Sequence, residues 1–340
     1  MTQRNVRTIR ARARVSTTFR HAAHVDHAAN TVGTHQRGEI DFARGPVPEC
    51  QQLQSKITVL DRESGSMNKL LFAVLFLAFG ATGGYALSTQ RANAQQAPSF
   101  VEAYRTLHAG RFVDLTHAFS PGIPHWPGFP NETDTTIYTY KKDGFLAQMF
   151  CHVGQWGTHV DAPAHFAPGE ATVDEIPPKQ MLLPLVVIDV HRKVARDPDY
   201  VLTMDDVRAW EAAHGSVPED AFVAMRTGWS KRWPSQTAMQ NKDAKGIAHY
   251  PGWSLAVLQY LYLQRHVTAT GHETTDTDPG IAASHGDYSL ESWLLHRGHY
   301  QIEMLANLDE VPESGALVMV TFAKAKGGSG FPARVVAIAP

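Results

Sequence analysis

The sequence predicts one α/β domain built on a mixed β-sheet. Three observations carry that expectation. Segments of strand and helix character alternate from about residue 112 to the C-terminus. One of them, Leu185 to Val190, is a continuous apolar, β-branched run, the pattern of a strand buried on both faces. Others are joined by short turn-rich stretches that make hairpins, so the sheet is not purely parallel.

The elements follow in chain order. Phe112 to Leu115 is a short strand. The loop from Ser120 to Gly128 holds too many prolines and glycines for a helix or a central strand. Thr135 to Tyr140 alternates and is rich in Thr, Tyr and Ile, which predicts an antiparallel strand. Met149 to Val160 reads as another, broken by Gly154 and Gly157. Thr203 to His214 is helical: Thr203 suits the N-cap with Asp206 three residues on, and Val207 and Trp210 share a face. Ala221 to Arg226 is a buried strand. Ser254 to His266 is a helix with Leu255, Leu258 and Tyr262 on one stripe. Val267 to Thr270 is a strand, Ser289 to His296 a helix and Gln301 to Leu305 a strand. Ala316 to Phe322 and Ala333 to Ile338 end the chain as two strands, paired across the Gly327-Gly328-Ser329-Gly330 loop. No repeat or internal linker interrupts the domain.

Composition narrows the function. The chain has 340 residues, 43% apolar and 19% charged, with a formal net charge of −2. Disordered, collagen-like and highly charged classes are excluded. Near-neutral charge gives no reason to expect nucleic acid as a partner. Two cysteines, Cys50 and Cys151, allow at most one bridge.

The N-terminal third differs from the rest. After Met67, Asn68-Lys69 gives a short cationic start, Leu70 to Ala86 is almost uninterrupted apolar sequence, and Ala92-Asn93-Ala94 is an A-x-A pattern. This order predicts a signal peptide over residues 67–94, cleaved after Ala94, and a periplasmic or secreted protein with no stable membrane span after cleavage. Residues 1–66 show no sustained period and read as a disordered or spurious upstream extension. The domain is then 95–340, with 27 acidic against 19 basic residues. That acidity favours solubility and argues against anionic surfaces.

One segment carries chemistry: Gly154-Gln155-Trp156-Gly157-Thr158-His159-Val160-Asp161-Ala162-Pro163-Ala164-His165. Residues two apart on an extended segment share a face, so His159 and Asp161 point the same way. Gln155 joins them if the strand stays regular through Gly157. Pro163 ends the ladder and turns the chain, which lets His165 return toward the same pocket. Imidazole plus carboxylate suits a divalent ion such as Zn²⁺ or Mn²⁺. A catalytic site needs about three protein ligands, so a further anionic ligand must come from elsewhere in the chain. Gly271-His272-Glu273-Thr274, at a strand end, places His272 to line the pocket or bind substrate.

This segment resembles the signature of the cyclase-like metal-dependent hydrolases, H-x-G-[TA]-H-x-D-[AS]-P-x-H with an upstream W-P-G. Here the upstream element is Trp126-Pro127-Gly128. Further matches are Arg226-Thr227-Gly228-Trp229, Asp276-Thr277-Asp278-Pro279, and Gln301-Ile302-Glu303 followed by Ala306-Asn307-Leu308-Asp309-Glu310-Val311-Pro312. The likeness runs from about Phe112 to Ile338. It implies a compact α/β domain with a mixed, partly barrel-like sheet flanked by helices, assembled as a homodimer. It implies His159 and Asp161 as metal ligands, Glu303 as the distal carboxylate ligand, His165 as general acid/base, and Trp126 as an aromatic that packs on the substrate ring.

Two positions depart from the pattern. The first ligand position, usually His, is Gln155; its amide oxygen is a harder, weaker ligand than imidazole and shifts preference toward Mn²⁺ or Mg²⁺. The distal helix position that carries a second metal histidine falls near Glu291, with His285 and His296 close by in sequence. Both departures favour one ion over two.

The expected activity is metal-dependent hydrolysis of a C–N bond in a small amide, formamide (arylformamidase-like) or lactam. Trp126 and Trp156 offer flat surface for an aromatic or heterocyclic substrate. A lactone hydrolase or cyclising lyase could use the same site. A catalytically silent exported binding protein is the remaining alternative, against which His165 and Glu303 are both retained.

Overall fold

The alternation of strand and helix signals resolves into a closed sheet. The structure, a computed structural model, describes residues 99–340. The expectations for residues 1–66 and for the signal peptide at 67–94 lie outside the described residues. Ten strands are described: β1 (Arg111–Asp114), β2 (Thr133–Tyr138), β3 (Ala147–Cys151), β4 (His159–Asp161), β5 (Leu182–Asp189), β6 (Phe222–Arg226), β7 (Ala269–His272), β8 (Tyr300–Glu303), β9 (Ala316–Phe322) and β10 (Gly330–Ala339). The principal sheet runs β1-β10-β4-β8-β7-β6-β5-β9, and β9 also pairs with β10. That last pairing closes seven strands into a barrel, with β1 added at the edge of β10. β5 through β8 are mutually parallel, whereas β4, β9, β10 and β1 pair antiparallel. The expected mixed, partly barrel-like α/β fold is what forms.

Alternation along β5 explains why its run is apolar throughout. Leu185 and Val187 face a core inside the barrel with Val160, Phe222, Ile302 and Val335. Val186 and Ile188 face a second core outside it, shared with Trp210, Leu258, Leu261 and Leu294 from the covering helices. Of the longer helices, α1 (Phe100–Ala109) precedes β1 and buries no side chain, and α2 (Met204–His214) has the expected Thr203 cap, whose hydroxyl accepts from Asp206 N–H while the Asp206 carboxylate accepts from Thr203 N–H. α3 (Leu255–Gln259) continues as a π-helical turn, Tyr260–Gln264, where one long α-helix is expected. α4 (Ser289–Leu295) lies close to the expected 289–296.

The stretch from Met149 to Val160 is not one strand. β3 pairs with β2 in a separate two-stranded sheet, and β4 enters the barrel. Two glycines cause the break. Gly154 passes so close to the Gly330 backbone that a Cβ would overlap its carbonyl, and Gly157 has φ +63°. The short return that Pro163 imposes is a 3₁₀ turn, Pro163–His165.

Candidate active site

The β4–β8 register assembles the polar centre. His159 lies opposite Glu303, and Asp161 lies opposite Gln301. Alternation within each strand puts all four on one face. They are 3%, 1%, 4% and 0% exposed for His159, Asp161, Glu303 and Gln301, which is unusual for charged residues without a partner. The partner 140 residues downstream of the His-x-Asp segment is therefore supplied by antiparallel pairing.

Hydrogen bonds fix how these groups point. His159 Nδ1 donates to the Gly157 carbonyl at 2.8 Å, which turns Nε2 toward the carboxylates; burial works against a charged ring, but negative Asp161 outweighs it and raises the His159 pKa. Nε2 lies 3.5 Å from Asp161 Oδ1 and 3.6 Å from Glu303 Oε2. Asp161 Oδ1 is buried without a hydrogen-bond partner. Nε2 and two carboxylate oxygens thus converge on one point, an arrangement that a shared proton or a bound cation makes favourable. Ligand bonds of about 2.1 Å around a tetrahedral ion separate the donor atoms by roughly 3.4 Å, so the triad fits a divalent metal. His159, Asp161 and Glu303 are the residues that would hold it.

The same convergence shifts their protonation. Burial pushes the Glu303 carboxyl well above the usual carboxylate range, and negative Asp161 adds to the push. Burial also acts on Asp161, but the His159 and His165 imidazoles outweigh it and hold Asp161 down to about 2. Two carboxylates on one small face are not both comfortable as anions until positive charge is present.

A second layer holds the carboxylates. Gln301 donates through Nε2 to Asp161 Oδ2 at 3.2 Å and to Glu303 Oε1 at 3.1 Å, while its carbonyl oxygen accepts from the Thr277 hydroxyl. Thr277 thereby sets which end of the amide meets the carboxylates. Trp253 donates its indole N–H to His272 Nδ1 at 3.2 Å. Indole is only a donor, so the neutral His272 ring carries its proton on Nε2, 3.4 Å from Glu303 Oε1. Burial lowers the His272 pKa to about 3 and keeps that ring neutral. Of the two expected roles, lining the pocket or binding substrate, this position beside Glu303 accords with the first. His272 is 0% exposed at the end of β7 and is directed at a carboxylate.

His165 reaches the same centre from the 3₁₀ turn. Its Nε2 lies 3.9 Å from Asp161 Oδ1 and 3.9 Å from Glu291 Oε1. Burial lowers its pKa, and Asp161 opposes that effect. Gln155 arrives from the glycine-broken loop rather than from a regular strand. Its amide nitrogen faces His165 Nδ1 at 3.2 Å and Ser329 Oγ at 3.4 Å. Glu291 is buried at the start of α4, where the Asp278 carboxylate accepts the N–H groups of Leu290 and Glu291. Glu291, Asp161 and His165 form a second cluster of facing donors. His285 and His296 lie exposed on the surface and take no part.

Aromatic side chains wall one side. Trp126 is half-buried, and its indole N–H donates to the Tyr288 hydroxyl at 2.8 Å. Gly128 is required by the ring: a Cβ there would overlap its six-membered part. Phe166 links Tyr288 to His165, with ring centroids 6.4 and 4.9 Å away. Trp156 does not belong to this wall. It is 0% exposed, bonded to Glu132 at 3.1 Å and covered by His125, so it packs in the interior and offers no surface to substrate.

The Arg226-Thr227-Gly228-Trp229 match has a structural cause. Glu273, 1% exposed, accepts from the N–H groups of Thr227, Gly228 and Trp229 and from the hydroxyls of Thr227 and Ser230. That knot ties the loop after β6 to the end of β7. Trp253 and Tyr288 carry no sequence signal, and Glu273 and Gln301 stand in quoted motifs without an assigned role; the polar pair Gln301 and Glu303, two apart on an apolar strand, is the readable sign.

Comparison with known proteins agrees with this geometry. The Cyclase family model, described as "Putative cyclase", matches residues 113–279. The chain is 34% identical over 242 residues to the isatin hydrolase of Roseibium aggregatum, covering 67% of this chain and 91% of that protein. It is similar to the structure of isatin hydrolase A from Ralstonia solanacearum, with TM-score 0.67, 33% identity, and coverage of 72% of this chain and 98% of that one. It is also similar to an isatin hydrolase bound to the product analogue thioisatinate, with TM-score 0.67, 30% identity, and coverage of 72% and 100%. Strand register, buried donor triad and relatives agree: the chain belongs to the cyclase-like family of metal-dependent hydrolases.

Proposed function

We propose that this protein hydrolyses the C–N bond of a small aromatic amide, with an isatin-like lactam as the leading substrate class. The observation that carries the reading is the convergence of His159 Nε2, Asp161 Oδ1 and Glu303 Oε2, with His165 Nε2 3.9 Å from that same Asp161 oxygen. The relatives named as isatin hydrolases support the substrate class. A bound divalent ion, Mn²⁺ or Zn²⁺ by the imidazole and carboxylate donors, supplies Lewis acidity at the carbonyl and makes water more acidic.

The chain's own groups do the rest. His165 is neutral through burial and lies close enough to take a proton from the attacking water. Asp161 flanks the imidazole and stabilises it while it is charged, whereas Glu291 faces it as a carboxyl that burial pushes well above the usual carboxylate range. His165 then returns the proton to the leaving nitrogen as the C–N bond breaks, giving a carboxylic acid and an amine. Trp126 stacks on the substrate ring, and its N–H, already given to Tyr288, stays satisfied.

Export through the segment at 67–94 and assembly as a homodimer belong to the same reading. The n-region, apolar run and A-x-A order support the first, and the family resemblance supports the second. Among the described residues no helix is long and apolar enough to cross a membrane. The test is turnover of isatin, formanilide and a simple aryl lactone by the purified protein. Ring opening of isatin is expected; hydrolysis confined to the lactone would replace the amide reading.

A further inference from the structure

The Trp126–Tyr288 contact leaves one hydrogen-bonding group unspent. Indole N–H can only donate, so the Tyr288 oxygen is the acceptor in the 2.8 Å bond. The phenolic proton therefore remains, and no acceptor for it lies within hydrogen-bond distance among the described residues. Burial and the nearby Asp276, Glu291 and Asp278 carboxylates raise the Tyr288 pKa and keep that proton in place. The ring is half-buried, so this is a directed donor at the rim rather than a surface hydroxyl.

Its position is fixed from three sides. Gln236 clamps the backbone ahead of Trp126 with one side-chain amide: Oε1 accepts from His125 N–H at 2.7 Å, and Nε2 donates to the His125 carbonyl at 2.8 Å. Gly128 lies flat against the Trp126 ring. α4, whose first turn is held by Asp278, follows directly after Tyr288. Phe166 connects the same wall to His165. The donor is pre-organised before any ligand arrives, which lowers the entropy cost of recognition.

We propose that Tyr288 is a substrate-recognition residue, its O–H donating to an oxygen on the edge of a ring stacked against Trp126. The inference rests on the proposed hydrolysis of an aromatic amide, and it adds a requirement that flat apolar packing alone does not impose. Ligands with an oxygen acceptor beside the scissile bond are favoured over those without one. Gln236 is a positioning residue in this arrangement, acting through the Trp126 backbone.

The test uses the metal-loaded protein with isatin as substrate. Tyr288→Phe should raise KM by about three- to tenfold, the worth of one neutral hydrogen bond, with kcat and metal content almost unchanged and a small fall in Tm from the lost Trp126 acceptor. In the wild type, oxindole, which lacks the second ring carbonyl, should bind as a competitor about three- to tenfold more weakly than isatin. That preference should collapse in Tyr288→Phe. Unchanged KM in the variant, a fall in kcat alone, or equal binding of the two rings to the wild type overturns the inference while leaving the hydrolase reading in place. A wild type that neither binds nor opens isatin overturns both.

Discussion

His159 Nε2 lies 3.5 Å from Asp161 Oδ1, and the other ring nitrogen is already committed to the Gly157 carbonyl. The backbone turn at Gly157, with φ +63°, puts that carbonyl where it selects the tautomer. A local glycine conformation thus decides which nitrogen is offered to a cation. The remaining donor, Glu303, comes from cross-strand pairing.

In the proposed reaction His165 serves proton transfer rather than the ion. It is the more accessible of the two histidines and sits outside the His159–Asp161–Glu303 triad. His165→Ala is expected to retain bound metal and lose about 10²- to 10⁴-fold in kcat. Metal analysis beside steady-state kinetics checks this; loss of the ion together with activity would make His165 a ligand.

Trp253 acts on the centre at one remove. Trp253→Phe leaves a small cavity in the buried core and frees His272 Nδ1, so the ring can hold its proton on either nitrogen and Nε2, 3.4 Å from Glu303 Oε1, no longer carries it steadily. Metal affinity should fall about 10- to 100-fold, the usual effect of disturbing an outer group that orients a ligand. Competition against a chelating dye reads it, and an unchanged dissociation constant would remove His272 from the account.

Glu273 is predicted to matter for folding. Its carboxylate accepts from three backbone N–H groups and two hydroxyls while almost wholly buried. Glu273→Ala leaves those donors unsatisfied and should cost at least about 2 kcal/mol in urea unfolding. An unchanged midpoint would show that water replaces the carboxylate without penalty.

A pH dependence follows from His117. Its ring is stacked on Trp233 at 4.2 Å, and burial lowers its pKa to about 4. The unfolded chain takes up this proton near pH 6.5, well before the folded one does. Below pH 6.5 the unfolded state therefore binds more protons, and stability falls as pH drops toward 4, by at most about 1.4 kcal/mol per pH unit from this group. The stabilising contribution is complete above pH 6.5. His117→Phe should flatten the Tm profile between pH 6.5 and 4; an identical slope would assign the acid limb to other groups.

The strands and the centre of the site were readable in different ways. Apolar runs such as Leu185 to Val190 announce themselves by composition, and His159 and Asp161 by a period of two. Their union with Glu303 is not local, since it depends on the β4–β8 register, and it entered through the family resemblance. Gln155 misled the regular-strand expectation because two glycines turn the chain between it and His159. Trp156 misled for a simpler reason. An aromatic side chain near a motif looks the same in sequence whether it faces a ligand or the interior, and Trp156 is fully buried. Trp253 and Tyr288 are remote in sequence from the groups they bond.

The central claim is that His159, Asp161 and Glu303 hold a divalent ion on which hydrolysis depends. Metal content and isatin turnover, measured on the same sample before and after exhaustive chelation and again after adding Mn²⁺ or Zn²⁺, test it most directly. At least one ion per chain is expected, with activity that disappears with it and returns on re-addition, and neither ion nor activity in Asp161→Ala. Full activity in metal-stripped protein, or an Asp161→Ala variant that binds metal like the wild type, would contradict it.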